Sequence, residues 1–338
     1  MTAKSKGLDI TVLVDEWTVQ PGDPHFTKQP DKPMTEFHVA DALRHLGHSV
    51  SAIGVSNDVA ALAGNLKERK CDLVFNLTEQ IGGDRLMDKN IAGILEIMGI
   101  PYTGSGPMGL MLSRDKRLCK QLLSLHRIRV PNFVSLPIDR KIKVPKPLKY
   151  PLVVKPAFED GSEGISNASL VANEKALEER VRYVHGSWQQ PVIAEEYVEG
   201  REFYVSVIGN RRLSVLPIRE CKLGSGDSDG PMLATYSVKY NEKYREKWNI
   251  EFGFAELDPD LVRRIERTCK NVYRILHLRD YGRLDLRVTP EGRITILECN
   301  PNPDLAFGEE VAESAERAGT GYEKLIDKII RLALARYE

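Results

Sequence analysis

The sequence has no CxxC pair, no apolar run of membrane-spanning length, no excess of either charge, and no internal repeat or low-complexity tract. Each absence removes a class of function. Cys71, Cys119, Cys221, Cys269 and Cys299 are odd in number and widely spaced, so neither a disulfide framework nor a zinc site is indicated. They read as reduced thiols. The 48 Lys+Arg residues balance 48 Asp+Glu, which leaves no whole-molecule field to gather nucleic acid or an anionic membrane, although a local anion site is compatible with it. The opening MTAKSKGLDITVLV is too weakly apolar for a signal peptide, and the reading is a cytoplasmic protein.

What is present is length and pattern. A chain of 338 residues with 42% hydrophobic composition is large enough for two or three domains. Ile10 to Val14, Ser49 to Gly54 and Asp72 to Leu77 read as strands, separated by helical patterns from Phe37 to Leu46 and from Val59 to Arg69. That alternation predicts a doubly wound parallel α/β domain. Helices are predicted from Met87 to Met98 and, with Pro107 in its first turn, as one run from Met108 to Leu125 whose Met108, Leu112 and Leu122 are core. A proline-rich stretch, KVPKPLKYP, then leads to a strand from Leu152 to Lys155, and the composition shift marks a small middle domain. Further strands are Val192 to Ala194 and Phe203 to Ile208, and helices cover Pro259 to Leu276 and Tyr322 to Ala335. His38, His45 and His48 lack partner cysteines or acids in a ligand pattern and read as surface residues.

The most informative segment is GRLDLRVTPEGRITILECNPN, whose two alternating runs flank turn residues and predict an antiparallel hairpin. A two-residue loop of Glu291 and Gly292 sets Asp285 opposite Glu298 and Arg283 opposite Asn300, all on one face, and a four-residue loop keeps that shared face. Facing carboxylates repel unless a cation lies between them. Magnesium suits, since it takes hard oxygen ligands, one or two protein carboxylates and nucleotide phosphates. The competing reading is a solvated face on which Arg283 or Arg287 neutralises the acids.

Upstream, YPLVVKP ends in Lys155, and AFEDGSEGIS supplies Gly161, Ser162 and Gly164, small residues that let backbone amides approach an anion. A lysine and such a loop suit the phosphates of a nucleotide. GSGPMG also matches G-x-G-x-x-G, but it does not follow the first strand of a unit, and no acidic residue clearly ends the next strand. No Walker-type phosphate loop occurs.

In order, IPYTGSG, LSRDK, YPLVVKPAFEDGSEGIS, VIAEEYVEGREF, the lysine in TYSVKY, GRLDLRV and ILECNPNP resemble the ATP-grasp superfamily, and specifically the D-alanine–D-alanine ligases. The resemblance spans most of the chain. It implies an α/β pre-ATP-grasp domain over residues 1–106, a central ATP-grasp subdomain over 107–197 and a C-terminal subdomain with a metal site over 198–338. It also implies ATP as the nucleotide, contacted at its phosphates by Lys116 and Lys155 and at its γ-phosphate by Lys239, with Ser162 in the covering loop. Glu195, Glu196, Tyr197 and Val198 would line the adenine pocket and Glu202 would bond the ribose. Asp285, Glu298 and Asn300 would hold two magnesium ions, replaceable by manganese, and Arg283 would stabilise the tetrahedral intermediate.

The activity so implied is attack of a carboxylate on the γ-phosphate, then attack of an amine on the acyl phosphate, under a lid formed by Cys221 to Trp248. Substrates would be amino acids or small peptides, handled by a homodimer, with no nucleic acid and no membrane involved. The sequence departs from the family where amino acids are recognised. VDEWTVQPGDPHF replaces the glycine-rich opening and the S-x-E-x-E-V-S stretch, FNLTEQIGGD stands for H-G-x-x-G-E-D-G, Gly161 replaces a serine, and PNPDLAFGEE puts Asp304 at a glycine position. Tyr240 matches a lid tyrosine whose serine and glutamate partners are absent. A D-alanyl-D-alanine product and a different dipeptide or conjugate both fit, while a dinucleotide oxidoreductase using GSGPMG and a non-catalytic nucleotide binder are the competing classes.

Overall fold

Short Val- and Ile-rich runs form the strands of three sheets in a computed structural model that describes residues 7–20, 22–31, 34–143, 145, 147–223 and 232–338. β1 (Asp9–Asp15), β2 (Ser49–Val55) and β3 (Leu73–Asn76) pair in parallel in the order β2-β1-β3. Parallel strands need cover on both faces. Ile10, Val12 and Val14 pack with α1 (Thr35–His45), while Leu13 on the other face meets α2 (Val59–Arg69) and α3 (Asp88–Met98).

The run expected as one helix from Met108 to Leu125 is two, α4 (Pro107–Arg114) and α5 (Lys116–Leu125). Asp115 breaks it: its backbone is extended, and its side chain accepts from the N–H groups of Arg117 and Leu118, capping α5. The break starts a new helix at Lys116, whose buried ammonium is thereby aimed inward. Met108, expected in the core, is 54% exposed, because α4 buries Gly109, Leu110 and Ser113 instead, with Gly109 close against the His277 carbonyl. Leu112 and Leu122 are partly buried against the third sheet's core.

The middle sheet is antiparallel, β4 (Phe133–Leu136), β5 (Leu152–Pro156), β6 (Leu170–Val171) and β7 (Val192–Glu196) in the order β4-β7-β5-β6, backed by α6 (Glu174–Trp188). The third contains β8 (Arg201–Ile208), β9 (Ser214–Val215), β10 (Arg219–Lys222), β11 (Glu251–Phe254), β12 (Tyr281–Val288) and β13 (Ile294–Asn300). Its order is β11-β10-β8-β12-β13, with β9 beside β8. Two short helices, α7 (Tyr236–Tyr240) and α8 (Glu242–Trp248), precede β11, and α9 (Pro259–Ile275) covers one face of this sheet. The chain then returns through α10 (Glu310–Arg317) and α11 (Tyr322–Leu334), whose apolar faces close the core beside β1 and α1.

The β12–β13 hairpin turns on three residues, Pro290 to Gly292, not on the two expected: Thr289 donates its N–H to the Arg293 carbonyl, and Gly292 is left-handed at φ +74°. Near the turn Leu286 therefore faces Ile296. A β-bulge at Leu297 then shifts the register, so that Asp285 faces Glu298 and Arg283 faces Asn300. Without the bulge Asp285 would face Leu297, and Glu298 would point into the core under α9.

Gly200 sets the turn between β7 and β8 at φ +145°, where a Cβ would lie 2.2 Å from the Val288 carbonyl oxygen. Gly200→Ala should destabilise the fold by roughly 1–3 kcal/mol, because that backbone region is nearly confined to glycine and the clash is with main chain. A lowered denaturant midpoint with an unchanged slope is the expected result, and an unchanged midpoint would refute the strain.

Candidate active site

Strand alternation decides which side chains meet between the middle and third sheets. On β12, Leu284, Leu286 and Val288 enter the core with α9, so Arg283, Asp285 and Arg287 face the other way. On β8, Glu202 and Tyr204 face the same side, opposite Arg287 and Asp285. From the middle sheet Lys155 and Glu195 point toward them. One narrow cavity is lined by Lys155, Ser162, Glu195 to Val198, Glu202, Lys239, Asp285 and Glu298, ten of the thirteen residues singled out in the sequence. Lys116 joins it through Glu298. Arg283 and Asn300 line the adjoining chamber. Because of the bulge, neighbours Leu297 and Glu298 both line the cavity, which regular alternation forbids.

The acids are balanced by cations. Asp285 receives Arg283 Nε at 2.8 Å and Nη2 at 3.2 Å, with Lys239 Nζ 4.0 Å away. Glu298 receives Lys116 Nζ at 2.8 Å. Burial works to raise the Glu298 carboxyl, but Lys116, Lys155 and Lys239 outweigh it and hold the pKa at about 2. Arg287 does not serve the hairpin acids: it grips Glu202 at 2.8 Å and donates to the carbonyls of Val198 and Met232. The carboxylates of Glu195 and Glu196, expected at an adenine pocket, are both engaged by protein. Glu195 binds Lys155 at 2.6 Å and Lys120 at 2.9 Å, while Glu196 accepts from Asn132 and the Lys149 N–H.

Lys120 was not visible as a site residue, since a lysine on a helix is ordinarily solvated. It is buried, and besides Glu195 it donates to the Leu297 carbonyl at 2.7 Å, tying the middle sheet to the bulge of the third. The phosphate-type loop is likewise held on both sides. Gly161, Ser162 and Gly164 all have positive φ, and Ser162 Oγ donates to the Ala234 carbonyl at 2.8 Å, just ahead of α7 and Lys239. Lys116 donates to the Glu159 carbonyl. Residues 224–231 of the expected lid lie outside the described residues. At the start of GSGPMG the amides are occupied, Gly104 by Asp280 and Ser105 by Asn302, so they are not free to receive the phosphates of a dinucleotide.

A family profile described as D-ala D-ala ligase C-terminus matches residues 125–331, well over half of the chain. The chain belongs to the D-alanine–D-alanine ligase family. The D-alanine–D-alanine ligase of Sphingopyxis alaskensis is 31% identical over 302 residues, covering 88% of this chain and 91% of that one. The uncharacterized protein y4sG of Sinorhizobium fredii is 31% identical over 318 residues, 91% of each chain. Among solved structures, the D-alanine–D-alanine ligase of Bacillus anthracis complexed with ATP superposes with a TM-score of 0.75 over 98% of this chain and 99% of that one, at 22% identity. The VanG D-Ala:D-Ser ligase of Enterococcus faecalis gives 0.70 over 97% and 100%, at 20% identity. The fold is ATP-grasp, and the protein is an ATP-dependent ligase that forms a carbon–nitrogen bond.

Where the ligase family's pattern is lost, the structure has a cleft of about 300 Å³ at the C-terminal ends of β1 and β3, adjoining the chamber of Arg283 and Asn300. Its lining contains Asp15, Glu36, Glu79 and Asp304, and no lysine, arginine or histidine among the described residues. Asp15 is buried, which raises its pKa, and its Oδ1 accepts the N–H groups of Glu79 and Gln80. Asp304, at the family's glycine position, accepts from Thr35 Oγ1 and the Ala306 N–H, both at 2.7 Å, and so fastens the loop after β13 to the start of α1.

A folded-state pKa of about 2 for Glu298, against an ordinary value of 4.5, makes the ionised form favour the fold. The contribution, on the order of 3 kcal/mol, is complete above pH 4.5 and is lost as pH falls through about 2. In the nucleotide-free protein, Glu298→Gln should flatten the decline of stability between pH 4.5 and 2. Urea titrations at stepped pH test this, and parallel curves for the two proteins would contradict it.

Proposed function

We propose that this ligase phosphorylates the carboxylate of one amino acid and passes the acyl group to the amine of another, at the cavity where Lys155, Ser162, Lys239, Asp285 and Glu298 converge. That convergence from two sheets is the observation that carries the reading. Lys116, Lys155 and Lys239 supply positive charge for the phosphates of ATP, and the left-handed loop around Ser162 covers them. Tyr197, Val198 and Glu202 take the nucleoside, with Glu195 and Glu196 shaping the wall through the partners they hold. Arg283, in the adjoining chamber, steadies the oxyanion formed when the amine attacks.

Asp285, Glu298 and Asn300 are the residues that would hold magnesium. The donor set fits: two carboxylates face each other across the hairpin, and Asn300 stands on the same face with its amide nitrogen 3.3 Å from Asp285 Oδ1, its oxygen accepting no hydrogen bond from the described residues. When bound, the metal neutralises charge on the transferring phosphoryl group. Among the described residues no group of three or more His, Cys, Asp or Glu side chains is arranged to hold a metal ion by itself.

The acidic cleft suits the ammonium group of an amino acid, and D-alanine is the first substrate to assay because the Sphingopyxis alaskensis relative carries that name. Asp304 favours a second reading in which the partner differs from D-alanine, since the family glycine is replaced beside the reaction chamber. Exposed Ile97, Met108 and Met111, on packed helices α3 and α4, offer an apolar face for a second copy. No helix among the described residues is long and apolar enough to cross a membrane, and we place the reaction in the cytoplasm.

A matrix of D- and L-amino acids and dipeptides, scored for ATP-dependent phosphate release and amide formation, tests the function. Release should need ATP, magnesium and a specific pair. Asp285→Ala and Glu298→Ala should each lower it by about a hundredfold or more, as should a chelator. Normal turnover in both variants would dismiss the metal assignment.

A further inference from the structure

The segment FNLTEQIGGD, which departs from the family motif, ends beside an arginine that the mechanism above does not use. Gly82 and Gly83 turn the chain at positive φ, and the Asp84 side chain accepts the Leu86 N–H, which fixes the single turn Arg85–Met87. Arg85 is 17% exposed and reaches four carboxylates. Nη1 lies 2.9 Å from Glu79 and 2.8 Å from Asp160, Nη2 3.0 Å from Glu163, and Nε 3.3 Å from Glu159. Three of the four belong to the loop that covers the phosphate position. The fourth, Glu79, lines both the acidic cleft and the reaction chamber.

Four carboxylates around one site repel unless a cation holds them. Burial pushes the Asp160 carboxyl up, but Arg114 and Arg85 pull it below its ordinary value, so the loop is anchored in its ionised form. Glu79 is pushed up to about 7, first by the cleft walls and then by Asp160, although 59% of its side chain stays open to water in the cleft, which tempers the effect. Arg114 on α4 adds a second grip by bridging Asp88 and Asp160. The wall of the substrate cleft and the phosphate-covering loop thus share the guanidinium of Arg85.

Resting on the ligase reading, we propose that Arg85 is a positioning residue that couples closure of the phosphate-covering loop to occupancy of the substrate cleft. A substrate group placed against Glu79 acts on the same guanidinium that holds Glu159, Asp160 and Glu163. With the loop held, the acyl phosphate waits for the amine. With the loop released, water attacks the acyl carbon, the bond from that carbon to the phosphate oxygen breaks, and phosphate and the free acid leave with one proton. ATP is then consumed without amide.

The test compares phosphate released with amide formed by the full-length chain, using ATP, magnesium and the pair that the substrate matrix selects. Wild type should give one phosphate per amide. Arg85→Ala should raise that ratio several-fold and raise the KM of the amino acids more than it lowers kcat, and Arg85→Lys, which keeps the charge but loses the planar fork, should lie between. Glu163→Gln, which removes one loop-side contact, should move the ratio the same way by less, and it carries the test if Arg85→Ala does not fold. A ratio that stays at one in the folded Arg85 variants, or in Glu163→Gln when that variant carries the test, overturns the coupling even if kcat falls. A wild type that forms no amide with any pair overturns the ligase reading and this inference with it.

Discussion

Two like charges held face to face are the constraint on which this molecule is built. Asp285 and Glu298 sit opposite each other on adjacent strands because a bulge at Leu297 turns Glu298 out of the core. Such a pair is unfavourable alone, and the surroundings answer it from three directions: Arg283 from the same strand, Lys116 from the start of α5, and Lys239 from α7. Each cation comes from a different part of the chain, so the fold cannot close the site without assembling all of them. Removing one leaves a buried carboxylate without its partner, which costs more than the pair contributes.

The same constraint explains the breaks in regular structure. Asp115 interrupts what would be one helix, and the interruption points Lys116 at Glu298. Leu297 interrupts what would be one ladder, and its freed carbonyl is taken by Lys120, which also holds Glu195 on the middle sheet. Thus one buried lysine joins the wall of the nucleotide cavity to the strand that carries the acids. Local irregularity here is where long-range electrostatics prevail over propensity.

The site was legible in the sequence where chemistry and periodicity coincide. The shared face of Arg283, Asp285, Glu298 and Asn300 follows from alternation, although the two-residue loop that the sequence predicts is not the loop the structure has. The three-residue loop takes Pro290 from the β12 side and the bulge inserts Leu297 on the β13 side, so the two offsets cancel and restore the register that a two-residue loop would have given. Neither shows in the pattern, because ITILECN reads as an unbroken strand. Asp115 carried a readable signal, an N-cap residue ahead of Lys116, but the apolar periodicity on both sides masked it. Lys120 carried none, because its partner Leu297 lies 177 positions away, and of the four carboxylates around Arg85 only Glu79 is near in sequence; a charged residue on a helix or after a turn is solvated in most sequences.

The parts that match the family pattern and the parts that do not differ in what holds them. Lys155, Glu195, Asp285 and Glu298 are strand residues, whose direction is fixed by ladder hydrogen bonds and by the apolar neighbours on the opposite face. A change there disturbs two layers at once. Asp15, Glu79, Arg85 and Asp304 lie at strand ends, in a turn or in a loop, where the side chain is held mainly by its own polar partners. Those positions are free to exchange one set of charges for another without unpacking a core. On the proposed assignments, nucleotide chemistry and substrate choice rest on mechanically different parts of one fold, and the Arg85 cluster is the place proposed to tie the two together: its loop side at the proposed phosphate position, its cleft side at the proposed amino-acid cleft.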